Sequence, residues 1–351
     1  MKFDVTLNTA DLRAVSKLAA HAESLGVDGL WTTETSHNPF LPLTHAIAST
    51  SRLEVGTGIA LAFPRSPMVT AQIAWDLAGQ SDGRFILGLG TQVKPHIVRR
   101  FSAVWDKPGP RLRDYILAMR AIWANWQYNK PLRYKGEFYE FTLMTPFFAP
   151  APIAKPNIPI YIAGVNPYLC RLAGEMCQGF HVHPFHTRRY LTEVILPSIT
   201  KGATDANRTP ADIQTTCAIF VATGANAAEI DASSIAIKTQ IAFYASTPSY
   251  GTVLALHGWE GLAEKLNAMS RQNRWLEMAE LISDDVLHEF AIVAPYHELP
   301  DKVRERYNGL LDRISYYFPF EGNTSQSQTA FWQKSVATLS DSHATALDLT
   351  R

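Results

Sequence analysis

The chain is poor in cysteine: Cys170, Cys177 and Cys217 are the only three in 351 residues. That excludes a disulfide framework as the basis of the fold and suits a reducing compartment. Cys170 and Cys177 stand two turns apart along one helical face, too far for a CxxC redox pair, and read as buried thiols. Neither sign of charge is in excess, with Lys+Arg 32 against Asp+Glu 32. A nucleic-acid binder usually carries a basic surplus, and a polybasic membrane anchor needs one. No segment approaches the ~20 apolar residues of a membrane span. Asp4 also interrupts the region that a signal peptide would keep apolar. A cytoplasmic protein is expected, with no nucleic-acid or membrane partner. Walker, GxGxxG and GxSxG patterns are absent, so nucleotide-cradling and serine-hydrolase readings have no support.

What the chain does have is apolar material in a regular rhythm. Hydrophobic residues make up 46% and charged ones 18%, against the roughly 25% charge usual in globular chains. Strands are expected at 3–7, 28–33, 53–62, 84–89, 160–163, 179–184, 213–222 and 312–318. Helices are expected at 11–25, 43–50, 67–80, 111–126, 167–177, 187–201 and 300–311. In the first helix Leu12, Val15, Leu18, Ala19, Ala22 and Leu25 form one stripe, with Asn8 or Thr9 as the N-cap and Gly26 as the stop. Eight strands alternating with helices predict an α/β fold, a single (β/α)8 TIM barrel over residues 1–320. Two insertions are expected, after strands 4 and 7. One is a hairpin with a Pro-rich connection at 124–158. The other is a long helical stretch at 226–290, broken at Pro248-Ser249-Tyr250-Gly251. Residues 321–351 read as a polar C-terminal tail with a short helix near 331–339.

Catalytic groups of such a barrel sit at the C-terminal strand ends. Strand two ends in Trp31-Thr32-Thr33-Glu34-Thr35-Ser36-His37, a carboxylate and an imidazole suited to gripping or proton transfer. Gly56, Gly58, Gly88 and Gly90 lie inside strand patterns, where glycine often marks a bulge or close backbone approach; Thr91 and Gln92 follow. Strand five ends in Ala163-Gly164-Val165-Asn166-Pro167 and opens a helix, whose free N–H groups suit an anion, phosphate above all. Strand six carries His181-Val182-His183-Pro184-Phe185-His186, with His181 and His183 on one face. A metal hydrolase of the amidohydrolase type would place HxH on strand one, a lysine or carboxylate after strand four and an Asp after strand eight. Here those places hold Thr6 and Asn8, Thr91 and Gln92, and Tyr316, Tyr317 and Phe318. The histidines are therefore read as pocket-lining, with no metal. Trp31, Phe40, Phe63, Phe185, Tyr316, Tyr317 and Phe318 are expected at the mouth and add aromatic faces suited to a flat ring.

Five ordered pieces carry a family resemblance: Gly29-Leu30-Trp31-Thr32-Thr33-Glu34, Gly56-Thr57-Gly58-Ile59, Pro67-Met68-Val69-Thr70-Ala71-Gln72, Gly83-Arg84-Phe85-Ile86-Leu87-Gly88-Leu89-Gly90 and Pro159-Ile160-Tyr161-Ile162-Ala163-Gly164. Together they resemble the bacterial luciferase-like superfamily. Phe63-Pro64-Arg65-Ser66-Pro67, Arg99-Arg100-Phe101 and His183-Pro184-Phe185-His186 look most like its branch that uses coenzyme F420, a deazaflavin. The resemblance implies a non-prolyl cis peptide at Gly58–Ile59 behind the deazaflavin ring and Glu34 near it. Thr91 and Gln92 would flank the ring or ribityl chain, and Ala163, Gly164, Val165, Asn166 and Pro167 would hold the cofactor phosphate. The superfamily's sugar-phosphate dehydrogenases carry an Asp-His pair after strand two and a Glu after strand four. Glu34-Thr35 and Gln92 or Val93 stand there in this chain, so the resemblance does not extend to that substrate.

The expected activity is hydride transfer between F420 and a small substrate with an activated C=C, C=N or C=O bond. His37 or His183 would serve as proton donor, and Glu34 is included among the catalytic groups. Phe63, Arg65, His181 and Phe185 would line the substrate side. The alternative on the same scaffold is a reduced-FMN-dependent monooxygenase. Relatives suggest a homodimer, with helices two and three in contact.

Overall fold

The structure is a computed structural model and describes residues 1–8, 11–322 and 325–341. Eight parallel strands close into a ring: β1 Lys2–Leu7, β2 Gly29–Thr32, β3 Glu54–Thr57, β4 Phe85–Gly90, β5 Ile160–Gly164, β6 Gly179–Val182, β7 Gln214–Ala222 and β8 Arg313–Tyr316. Each pairs with its sequence neighbours. Closure comes from β8 against β1, with Lys2 opposite Arg313. Helices cover the outside, so the strands are buried on both faces; every residue of β2 and β4 is buried.

The helices begin and end where local chemistry dictates. Helix α1, Leu12–Leu25, is capped by the Asp11 carboxylate, which accepts from the Arg13 amide, and stops at Gly26 in the left-handed region at φ 90°. The cap is therefore neither of the expected residues: Asn8 precedes it, and Thr9 lies outside the described residues. Helix α2 is Leu41–Ala48, and α3, Pro67–Gln80, is capped by Ser66 with proline in its first turn. Helix α4, Pro108–Tyr128, starts three residues earlier than expected because Pro108 and Pro110 occupy its first turn, where a missing N–H costs nothing. Helix α5 is Pro167–Met176. The expected helix 187–201 is a short turn, a π-helical segment Leu191–Ile195 and then α6, Leu196–Asp205.

Three departures from the expected layout bear on the site. The run 53–62 is not one strand: the Gly58–Ile59 peptide is cis, and the chain resumes as Ala60–Leu61 against the end of β4. The helical stretch after β7 consists of α7 Ala227–Ala245, a turn at Pro248–Tyr250, a short helix Gly251–Ala255, α8 Glu260–Arg271, a 3-10 turn Glu277–Leu281 and α9 Asp284–Phe290. It ends in an unanticipated strand, Ala291–Val293, which extends the sheet beside β7. After α10, Leu299–Tyr307, and β8 comes α11, Gln326–Leu339. Its Phe331, Trp332, Val336 and Leu339 are buried, and Trp332 lies 6.2 Å from Phe3 of β1. This segment reads as a polar tail in composition, yet its apolar stripe packs on the barrel between α10 and α1.

The N-terminal end of the barrel is plugged by charge. Arg313 donates to both carboxylate oxygens of Asp4 at 2.8 Å, and also reaches Glu54. The Trp31 indole N–H donates to Asp4 at 2.8 Å, while the Arg313 guanidinium stands 5.3 Å over the Trp31 ring. Asp4 and Arg313 are essentially inaccessible to solvent.

Candidate active site

Strand alternation decides which side chains reach the mouth. Arg313 points inward, so two residues on, Ser315 and then Tyr317 do too, while Tyr316, expected at the mouth, points outward by the same parity and bonds Ser335 of α11 at 2.9 Å. By the same parity His181 and His183 face inward, His181 meeting Trp31 edge-on at 4.9 Å inside the barrel.

The β3–β4 side is made of small groups and backbone. The Thr57 hydroxyl donates to the Gly88 carbonyl at 2.7 Å and accepts the Gly88 amide at 2.9 Å. A Cβ on Gly88 would stand 1.8 Å from the Thr57 carbonyl oxygen, so this contact needs glycine. The clasp seats the cis Gly58–Ile59 peptide directly at the C-terminal end of β3. Gln92, just past β4, adopts φ 60°, and its side chain accepts the Val93 amide at 3.0 Å; the Thr91 hydroxyl turns to the Gln92 carbonyl. At β5, Asn166 caps α5 by accepting the Leu169 amide, and Pro167 follows in the first turn. The half-buried Ala163 and Gly164 lead into that turn.

Glu34 and Arg65 face each other. Two guanidinium nitrogens donate to the two carboxylate oxygens, and the Leu61 amide adds a third bond at 2.7 Å. Arg65 was expected on the substrate side and Glu34 among the catalytic groups. Instead each consumes the other's hydrogen-bonding capacity and braces the loops after β2 and β3. His37 lies on the exposed loop after β2.

The β6–β8 side is aromatic. The His183 ring is edge-on to Tyr244 at 4.7 Å and beside Tyr250 at 4.8 Å. Its Nδ1 accepts the Phe185 amide at 3.1 Å, which leaves the proton on Nε2. Burial, with His186 nearby, pushes His183 down to about 3, so the ring is neutral at physiological pH. Burial likewise lowers His181 to about 3; the residue is half-buried, and its Nε2 is inaccessible and has no hydrogen-bond partner among the described residues. Phe185, expected on the substrate side, is corrected: it is wholly buried, stacked on Phe290 at 4.5 Å, and belongs to the core. Phe63 is mostly buried, edge-on to Trp105 at 5.9 Å.

This layout has counterparts among known proteins. The sequence profile of the luciferase-like monooxygenases matches residues 2–313. The chain belongs to the luciferase-like monooxygenase family. This luciferase-like chain is 43% identical over 314 residues to an uncharacterized protein of Mycobacterium tuberculosis, covering 90% of this chain and 92% of the other. It is 27% identical to a 5,10-methylenetetrahydromethanopterin reductase of Archaeoglobus fulgidus over 82% of this chain and 83% of that protein. The barrel superposes on the coenzyme F420-dependent tetrahydromethanopterin reductase of Methanopyrus kandleri with a TM-score of 0.77, at 20% identity, covering 97% and 99% of the two chains. The oxygenating constituent of 3,6-diketocamphane monooxygenase from Pseudomonas putida, in complex with FMN, gives 0.64 at 15% identity over 97% of each chain.

Two mouth residues of this luciferase-like barrel escaped the sequence reading. Tyr244 and Tyr250 come from α7 and the turn after it, and stand against His183. The one available signal was the break at Pro248-Ser249-Tyr250-Gly251, which turns the chain back over the barrel. The cysteines are free and buried, and burial pushes Cys170 and Cys177 up to about 12. Among the described residues no cluster of three or more His, Cys, Asp or Glu is disposed to hold a metal, and no helix is long and apolar enough to cross a membrane.

Proposed function

We propose that this luciferase-like barrel is an oxidoreductase that uses coenzyme F420 to transfer hydride to or from a small organic substrate bearing an activated C=C, C=N or C=O bond. The observation that carries the reading is the two-sided mouth: a clasp of Thr57 and Gly88 at the ends of β3 and β4 on one side, an aromatic and imidazole wall of His183, Tyr244 and Tyr250 on the other. One side offers backbone and small residues against which a flat ring fits; the other offers hydrogen-bonding side chains for a substrate. F420 is favoured because the relatives include a methylenetetrahydromethanopterin reductase and F420-dependent glucose-6-phosphate dehydrogenases. FMN is the second reading, favoured by the fold shared with the FMN-bound monooxygenase.

When bound, the deazaflavin supplies the hydride at C5. The chain's own contribution is binding, orientation and proton supply. Gly58 and Ile59 would back the ring, with Thr91 and Gln92 at its edge. The Ala163–Pro167 turn suits the phosphate: the first amides of α5 cannot be paired within the helix, and the helix start carries partial positive charge. Glu34, tied to Arg65, holds the wall beside the ring in place. His183, neutral with its proton on Nε2, can donate a hydrogen bond to an acceptor atom; His37 is the exposed alternative. A homodimer through α2 and α3 completes the proposal, since Leu41 and Val69 are exposed there.

The test is a titration of the purified protein with F420 and, separately, FMN, read by quenching of its eight tryptophans at low and high phosphate. Micromolar F420 binding that phosphate weakens, with far poorer FMN binding, is the expected result. Preference for FMN would move the assignment to oxygen chemistry, and binding of neither would overturn it.

A further inference from the structure

We propose that Tyr317, held by Tyr244, presents its hydroxyl as the hydrogen-bond donor for the carbonyl or imine atom of a planar, conjugated, uncharged substrate. This deepens the proposed function and rests on its placement of the substrate at the barrel mouth.

Tyr317 follows β8 directly and faces inward, the parity that also sets Arg313 inside the barrel. Its amide donates to the Ile219 carbonyl at 2.9 Å, which pins the backbone to β7, and its ring sits edge-on to Phe220 at 4.8 Å. The hydroxyl lies 2.7 Å from that of Tyr244. Either hydroxyl can donate to the other, and neither has a further acceptor among the described residues, so the pair always holds one O–H it does not use; with Tyr244 donating, that O–H is Tyr317's. A half-buried hydroxyl pair at the catalytic end of a barrel, with one O–H to spare, is arranged to donate to something the protein does not supply.

The surroundings restrict what that something is. Tyr250 and His183 continue the wall in flat rings, edge and face. The arginines beside Phe63 are not free to draw an anion. Arg65 is consumed by Glu34. Arg111 is enclosed by the rings of Phe63, Phe138 and Tyr139 at 5.5–5.7 Å and donates to the Tyr139 hydroxyl. A conjugated neutral acceptor fits this wall better than a phosphorylated one.

The probe is 4-(dimethylamino)cinnamaldehyde, whose visible band moves to the red when its carbonyl accepts a hydrogen bond. It is titrated into the full-length protein with and without F420. Binding with a red shift is expected for the wild type. Tyr317→Phe should bind within about threefold of wild type but lose most of the shift, and Tyr244→Phe should lose part of it. An undiminished shift in Tyr317→Phe, or no binding of the probe to wild type, would overturn the proposal. Should Tyr317→Phe fail to fold, a full wild-type shift in Tyr244→Phe would do the same. The reading needs no bound cofactor. A Tyr317-dependent shift without F420 affinity would sink the cofactor assignment and leave this one standing; F420 binding with a Tyr317-independent shift would do the reverse.

Discussion

Arg65 grips Glu34 through two N–H···O bonds, Nη1 to Oε2 at 2.8 Å and Nη2 to Oε1 at 2.6 Å. The side chains are only 15% and 7% exposed, so the pair is largely desolvated. Removing one partner of such a pair strands the other's charge. Arg65→Met should therefore lower stability by about 3 kcal/mol. The double variant Arg65→Met/Glu34→Gln should lose less than the two single changes summed. Urea denaturation of the four proteins is the check, and strict additivity would contradict the coupling.

Arg313 neutralises Asp4 where water does not reach. Arg313→Met should cost about 3–5 kcal/mol at pH 7, because the Asp4 carboxylate is then buried alone. Burial alone raises a carboxyl's pKa, so in the variant Asp4 becomes protonated as pH falls and the penalty is relieved. The deficit relative to wild type should shrink between pH 7 and pH 5. A deficit that stays constant would argue against an uncompensated Asp4.

His186 lies in the core, its Nδ1 on the His183 carbonyl at 2.9 Å and its Nε2 3.2 Å from the Tyr307 hydroxyl. Burial pushes it from 6.5 down to about 4. The unfolded chain therefore takes up the proton first, and unfolding becomes easier as pH falls. This contribution is fully present above about pH 6.5 and is lost toward pH 4, at up to about 1.4 kcal/mol per pH unit. Denaturation midpoints at pH 7 and pH 5 test the sign, and His186→Gln should flatten the slope. Burial lowers the half-buried His181 and His183 in the same direction, so they act on the slope with the same sign.

Gly88→Ala would place a methyl 1.8 Å from the Thr57 carbonyl oxygen and 2.7 Å from His181 Nε2. Backbone must move, so a loss of about 3 kcal/mol is expected, with weakened cofactor affinity as the Thr57–Gly88 clasp opens. Gly261→Ala, in α8 with nothing within 4 Å of the added methyl, should be neutral or stabilising by up to about 1 kcal/mol. Thermal melts of the two variants side by side separate close approach from mere helix propensity.

Much of the fold was legible because it is written in local periods. Apolar runs with glycine and proline punctuation located the eight strands to within a few residues, and the cis peptide stands where the family resemblance implied it. The α11 helix was partly missed because its buried stripe is diluted by Ser, Thr and Gln. The candidate site was less legible. His183, one residue past the end of β6 at Val182, still follows the strand's parity to the mouth. Phe185 does not, since the chain turns after His183 and puts that ring into the core against Phe290.

By itself the sequence determined the order of strands and helices, the residues available at each strand end and, through a period of two, which of them face inward. Tertiary structure alone decided their partners. Glu34 and Arg65, Tyr244 and Tyr317, and Asp4 and Arg313 stand 31, 73 and 309 residues apart. Backbone geometry fixes a local period residue by residue. Which carboxylate is spent on an arginine, and which hydroxyls meet, follows only once the ring has closed and distant strand ends share one mouth.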